Sequence, residues 1–213
     1  MLAFLAYQVQ PDLWAPDPAV YEELEQRLVE RESLLSIRQQ LRNQLHALHY
    51  RHMTVAAVEA RKRALLASIQ EQLDTIEREI KTLLRQEHAW STSAQLLQGI
   101  PGVGMVTAAW LLVATHNFTS CSSPDQLVAY AGLAPYKRES GTSVRRGGHI
   151  GHAGHARLRH ALYMSTLSAT RHNPTIKVFY DRLRIKGKPM RECRILCVNP
   201  SFDTKSLTFP QSV

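Results

Sequence analysis

Cysteine is scarce in this chain, three among 213 residues, an odd number that cannot make a disulfide framework. Long apolar runs are missing as well. No stretch approaches the ~20 residues that a membrane-crossing helix needs. The opening segment, residues 1–14, starts apolar but has no basic flank and no small-residue cleavage site, so it does not read as a signal peptide. These absences set aside secretion, membrane spanning and small disulfide scaffolds, and leave the expectation of a soluble, cytoplasmic, basic protein. The length allows one ordinary domain with an extension, or two small domains.

Acidic residues are few in the second half. Residues 119–213 hold 5 Asp+Glu against 15 Lys+Arg, a net of +10, whereas residues 1–118 hold 13 against 11, a net of −2. The whole +8 of the chain therefore comes from one side of it. A concentrated positive field draws in polyanions and speeds their encounter, and nucleic acid is the commonest such partner. A solvated basic surface without a partner is the plainer alternative.

Glycine is missing from Pro18 to Glu87, and proline does not recur there. Over that length the absence predicts helix, with Asp17 as cap and Pro18 in the first helical position. Apolar residues recur at Val20, Leu24, Leu28, Leu34, Leu41, Leu45 and Leu48. They return at Leu66, Ile69, Leu73, Ile76, Ile80 and Leu83 in a heptad seam, with Glu71, Glu77, Arg78, Glu79 and Lys81 off it. The segment between lacks a sustained stripe. The expectation is a long antiparallel hairpin over 18–88, a coiled coil turning near His52, with Thr54 capping the second helix. Such a pair buries only a narrow stripe, so it serves as a plain arm or as a device for pairing with another copy.

Glycines reappear at Gly99-Ile100-Pro101-Gly102-Val103-Gly104, between a short helix from Ser91 to Gln98 and an apolar helix from Met105 to about Ala114. Two helices around such a turn are similar to a helix-hairpin-helix. There Gly102 and Gly104 would let backbone N–H groups approach a phosphate without reading bases; glycines at a tight turn also serve packing alone. No Gly-Lys-Ser/Thr follows, so the turn is not a nucleotide P-loop. Ser123-Pro124-Asp125-Gln126 is a capping box that launches a helix to Ala131, closed by Gly132.

An exposed loop is expected next, Lys137-Arg138-Glu139-Ser140-Gly141-Thr142-Ser143-Val144-Arg145-Arg146-Gly147-Gly148-His149. Hydroxyls lie beside glycine between two basic pairs. Lys137, Arg138, Arg145 and Arg146 can hold a phosphate and neutralise charge that develops under attack, and a serine there can act as nucleophile on a phosphodiester. On residue types alone, a basic loop that only docks on DNA backbone is the better supported of the two. His149, His152 and His155 follow at intervals of three. The glycines among them disfavour a helix, and no cysteine or carboxylate joins them, so they read as phosphate contacts or loop residues and no metal site is assigned. A helix is expected from Ala156 to His172, with Arg157, Arg159 and Arg171 available for backbone contact. Another is expected from Thr175 to about Lys186.

Taken in order, Gly99–Gly104, Tyr130-Ala131-Gly132-Leu133-Ala134-Pro135, Glu139-Ser140-Gly141, Ala156-Arg157-Leu158-Arg159-His160-Ala161-Leu162-Tyr163, Arg171-His172-Asn173-Pro174 and Phe179-Tyr180-Asp181-Arg182-Leu183 resemble the C-terminal domain of the IS110/IS1111 (IS116/IS902) insertion-sequence transposases. The resemblance covers roughly residues 91–190. It implies DNA transposition and recombination by a serine nucleophile, which by motif is Ser140, with Ser143 as fallback. Phosphate-holding neighbours would be Lys137, Arg138, Arg145 and Arg146, and further nucleic-acid contacts Gly102, Gly104, Arg157 and Arg159. Its partners would be DNA, a structured guide RNA in the manner of some members, and a second copy through the coiled coil. Nucleoid-associated localisation follows from the same resemblance.

Two departures qualify it. The family pairs this domain with a RuvC-like half whose acidic residues bind Mg²⁺, and no such cluster occurs here. The expectation is therefore no cofactor in this chain, with Mg²⁺ entering through that other half. Residues 191–213 read as a degenerate, irregular tail and residues 1–17 as the remnant of a linker. Together these predict an all-α chain: a hairpin, then a compact helical domain, truncated, binding nucleic acid and inactive alone. The rival readings are a non-catalytic helix-hairpin-helix module and a coiled-coil assembly protein.

Overall fold

The computed structural model describes residue 8 and residues 18–86, 88–121, 123–140, 144–150 and 153–198. Its elements are α1 (Ala19–Leu48), α2 (Ala56–Gln86), α3 (His88–Gln98), α4 (Met105–Ala114), α5 (Pro124–Tyr130), β1 (Pro135–Ser140), β2 (Val144–Ile150), α6 (Ala156–His172), α7 (Pro174–Ile185) and α8 (Met190–Val198). The helical class holds, with one interruption: a two-stranded antiparallel ribbon stands where an exposed loop was expected.

α1 and α2 run antiparallel along each other. Arg27 pairs with Glu79 at 3.0 Å and Arg31 with Glu77 at 2.7 Å. Arg38 donates to Gln70 at 2.8 Å, and Lys62 bonds Gln44 at 2.5 Å. One set of partners descends in number as the other climbs, so the register holds along the arm. Burial does not hold evenly. Leu24, Leu28, Leu73, Ile80 and Leu83 are buried near the base, whereas Leu34, Leu41, Leu45, Leu66 and Ile69 are only half-buried farther out. Two helices shield each other on one stripe. At the base α4 supplies a third layer over Leu24, Leu28, Ile80 and Leu83.

The caps differ from expectation. Pro18 is the cap itself, its carbonyl accepting Tyr21 N–H at 2.9 Å, and Asp17 lies outside the described residues. The Thr54 hydroxyl donates to Leu48 C=O at 2.9 Å, so it closes α1 rather than opening α2. α5 follows the capping box, with Ser123 Oγ accepting Gln126 N–H at 3.3 Å. Asn173 ends α6 through its backbone N–H, which donates to Ala169 C=O at 2.8 Å, and starts α7 through its side chain, Oδ1 accepting the N–H groups of Thr175 and Ile176 at 3.1 and 3.3 Å.

α4 is the axis of the compact part, buried at every position from Thr107 to Ala114. One side packs with Leu24, Leu28, Ile80, Leu84, Trp90 and Ala94, anchoring the arm. The other side carries Leu111 and Ala114 against Val128, Ala131, Leu133 and Leu158. Each fully buried leucine contributes about 1.5–3 kcal/mol. After Thr115 the chain runs left-handed through His116, Asn117 and Phe118, at φ 48°, 54° and 65°. Such a run costs about 1–2 kcal/mol per residue. Thr115 holds it, its hydroxyl donating to Leu111 C=O at 2.7 Å and accepting Phe118 N–H at 3.0 Å. Tyr21 stacks on His116 at 5.0 Å.

The expected irregular tail is corrected in its first part. Residues 190–198 form α8, with Cys193 buried and Ile195 and Val198 packed against the core around Leu158. An apolar step every few residues, started by Pro189 accepting Cys193 N–H at 3.0 Å, suffices for a helix once α6 gives it a surface. Residues 199–213 lie outside the described residues. Burial pushes the Cys193 thiol up, and burial followed by the neighbouring Cys193 pushes Cys197 up to about 12. No described helix is long and apolar enough to cross a membrane.

Candidate nucleic-acid interface

The basic stretch folds as a ribbon whose backbone register brings its two charged halves together. Arg138 lies opposite Arg146, Glu139 opposite Arg145 and Ser140 opposite Val144, with an irregularity between Tyr136 and Arg138 that takes in Lys137. Strand residues alternate faces, and directly opposed residues share one. Positions 138, 140, 144 and 146 therefore lie on one face of the ribbon, and 139 and 145 on the other. Ser140 is the last residue of β1, so the ribbon carries it to the end farthest from the helices. The side chains of Lys137, Arg138, Ser140, Arg145 and Arg146, together with all of Gly141, Ser143 and His152, lie outside the described residues.

The ribbon is fixed at its root. Gly132 and Gly154 meet back to back: a Cβ on Gly154 would stand 2.5 Å from Gly132 N, and one on Gly132 would stand 2.0 Å from Ala153 O. Both have positive φ, 70° and 94°, which glycine adopts without strain. His155 N–H donates to Tyr130 C=O at 2.8 Å. His155 also caps α6, its Nδ1 accepting Leu158 N–H at 3.1 Å, with its ring between Trp110 and Tyr130 at 6.1 and 5.7 Å.

Two of the three arginines on α6, Arg157 and Arg159, are engaged within the chain. Arg159 Nη1 donates to Ala153 C=O at 3.0 Å and Ala131 C=O at 3.2 Å, with Gly132 C=O at 3.5 Å. Arg157 pairs with Glu32 of α1 at 3.3 Å and lies 5.8 Å from the Trp110 ring centre, with 45% of its side chain still exposed. Sequence reasoning gave both to nucleic acid; the fold uses both to join its parts.

Two of the three glycines of the 99–104 turn, Gly102 and Gly104, serve different ends. Gly102, at φ 107°, packs on α6, where a Cβ would stand 2.7 Å from Ala169 Cβ and 2.8 Å from its backbone. Gly104 caps α4 at φ −89° with nothing within 4 Å of an added Cβ. Gly102 is thus a packing glycine, while Gly104 leaves the exposed start of α4 open to a ligand. His149 stands in β2 and His155 at the start of α6. Among the described residues no group of three or more His, Cys, Asp or Glu comes together to hold a metal.

A basic helical domain presenting a pinned two-stranded ribbon is the kind of surface that grips a phosphate backbone. Residues 94–181 match the model of the transposase IS116/IS110/IS902 family. Its relatives include the insertion element IS110 uncharacterized 43.6 kDa protein of Streptomyces coelicolor, 37% identical over 123 residues, covering 58% of this chain and 29% of the relative. The pilin gene-inverting protein of Moraxella bovis is 38% identical over 100 residues, 46% of this chain and 31% of the relative. The insertion element IS900 uncharacterized 42 kDa protein of Mycobacterium paratuberculosis is 32% identical over 119 residues, 54% of this chain and 29% of the relative. The chain thus spans less than a third of the length of these curated relatives.

Proposed function

We propose that this chain is the nucleic-acid-gripping part of a DNA transposase that exchanges strands through a serine nucleophile, Ser140, with Ser143 as the alternative. The observation that carries the reading is the ribbon register, which sets position 140 on the same face as positions 138 and 146, both arginine. In the reaction the Ser140 hydroxyl oxygen forms a bond to phosphorus. The deoxyribose oxygen leaves and takes up the hydroxyl proton, and the strand is held as a phosphoserine ester. Attack by a hydroxyl of another strand reverses the step and frees the serine. Arg138 and Arg146 stabilise the charge that gathers on the phosphoryl oxygens. Gly104 and the first N–H groups of α4 supply a further, sequence-blind phosphate contact, as in a helix-hairpin-helix. Metal chemistry belongs to the acidic half of the family protein. The arm of α1 and α2 acts as a coiled coil that pairs two copies, and a structured guide RNA supplies target choice.

The test combines this chain with the remaining part of a relative and traps the covalent DNA adduct on a denaturing gel. Ser140→Ala abolishes the adduct and leaves duplex affinity unchanged. Loss with Ser143→Ala instead moves the nucleophile by three positions. An adduct that survives both substitutions overturns the serine reading. With about six phosphate contacts, duplex affinity falls on the order of a thousandfold between about 50 and 200 mM salt; flat binding over that range overturns the nucleic-acid reading altogether. A module that only docks would show the salt dependence and no adduct.

A further inference from the structure

We infer that Arg159 is a positioning residue: its guanidinium ties together the two ends of the ribbon that carries Ser140, and it does not itself contact nucleic acid. The inference deepens the proposed serine chemistry and rests on it for its consequence, though not for its geometry. Along the chain the ribbon connects to the helices through Gly132 before β1 and Ala153-Gly154 after β2. Arg159 Nη1 reaches carbonyls on both sides of that junction, Ala131 at 3.2 Å and Ala153 at 3.0 Å. Gly132 would lose its place if it carried a Cβ, which would lie 2.4 Å from Arg159 Nη1 as well as against Ala153 O. The close approach of the two backbones and the guanidinium therefore make one joint.

The chemistry suits arginine alone. The carbonyls of Ala131 and Gly132 end α5, where partial negative charge collects and a cation is favoured. The N–H groups of one guanidinium nitrogen, Nη1, held in the plane of the group, donate to both backbones at once. A nucleophile at the far end of a ribbon swings through an arc set by the looseness of its root. Misplacement by about 1 Å can cost about a hundredfold in rate.

Hydrogen exchange on the chain without nucleic acid tests the joint directly. In Arg159→Met and Arg159→Lys, ladder amides within 135–140 and 144–150 lose protection by about tenfold or more, while α1 and α2 amides keep theirs. Unchanged ribbon protection in Arg159→Met overturns the inference, and so does a loss shared equally by α1 and α2. The same variant, bound to a short random-sequence DNA duplex, keeps the wild-type salt slope; a slope shallower by about one unit makes Arg159 a phosphate contact and overturns its assignment. In the complemented reaction, Arg159→Met slows adduct formation about tenfold or more at unchanged duplex affinity; an unchanged adduct rate overturns the positioning role. If the wild-type chain binds no duplex, the proposed function fails, and the exchange experiment still decides the joint.

Discussion

Gly102→Ala is the substitution that separates packing from ligand contact in the 99–104 turn. The alanine must hold φ near 107°, outside the regions L side chains favour, at about 1–2 kcal/mol. Its methyl would also stand 2.7 Å from Ala169 Cβ and 2.8 Å from the Ala169 Cα and N, so α6 must move. Overpacking of this kind costs about 1–3 kcal/mol. The sum, about 2–5 kcal/mol, is a large share of the 5–15 kcal/mol typical of a domain. At about 2–4 °C per kcal/mol for a chain of this size, the thermal midpoint falls by about 4–20 °C, read by far-UV circular dichroism. Ala169→Gly in the same chain relieves the Cβ–Cβ clash but not the approach to the α6 backbone, so the double variant recovers only part of the loss, a coupling that a double-mutant cycle measures. Gly104→Ala is the control. It meets nothing within 4 Å and its φ of −89° is ordinary, so stability changes by less than about 1 kcal/mol. Its effect falls on duplex affinity, through the crowded approach to α4. A Gly102→Ala chain with wild-type stability and weakened duplex binding would refute this division of labour.

Other perturbations follow from the same packing. Leu28→Ala empties a fully buried site between the arm and α4 and costs about 2–5 kcal/mol in urea unfolding. Asn173→Ala removes the acceptor shared by the Thr175 and Ile176 N–H groups and costs about 1 kcal/mol, with lowered exchange protection confined to the start of α7. The raised thiol of Cys197 gives a pH dependence: the folded chain keeps a proton that the unfolded chain gives up, so this contribution to stability is intact below the ordinary cysteine range and is lost as pH rises toward about 12. Urea unfolding across alkaline pH checks the sign. At neutral pH, half-exposed Cys121 is alkylated before buried Cys193, as peptide mapping would show.

Much of the helical scaffold was legible because its signals are local. The absence of glycine between Pro18 and Glu87, the heptad step from Leu66 to Leu83, and the Ser123 cap each act within a few residues, and the elements fall where those signals put them. The ribbon is not legible locally because its strands are basic and lack the alternating apolar residues that mark a strand. α8 was missed because its apolar step is short and gains meaning only against α6. Thr54 looked like an opening cap and proved a closing one, since its hydroxyl reaches back across the turn to Leu48.

The candidate site divides along the same line. Its residue types, the basic pairs, the serine and the glycines, were visible in order, because composition and motif are properties of the chain itself. Their partners were not. Gly132 and Gly154 lie far apart in the chain, and nothing local says that they touch or that Arg159 spans the gap. Arg157 finds Glu32 only because the arm packs on α4. The sequence by itself determined the charge asymmetry, the helices and the supply of phosphate-binding groups. Only the tertiary structure decided that Arg157, Arg159, Gly102, Gly132 and Gly154 are engaged within the chain, because that depends on contacts between segments distant in the chain.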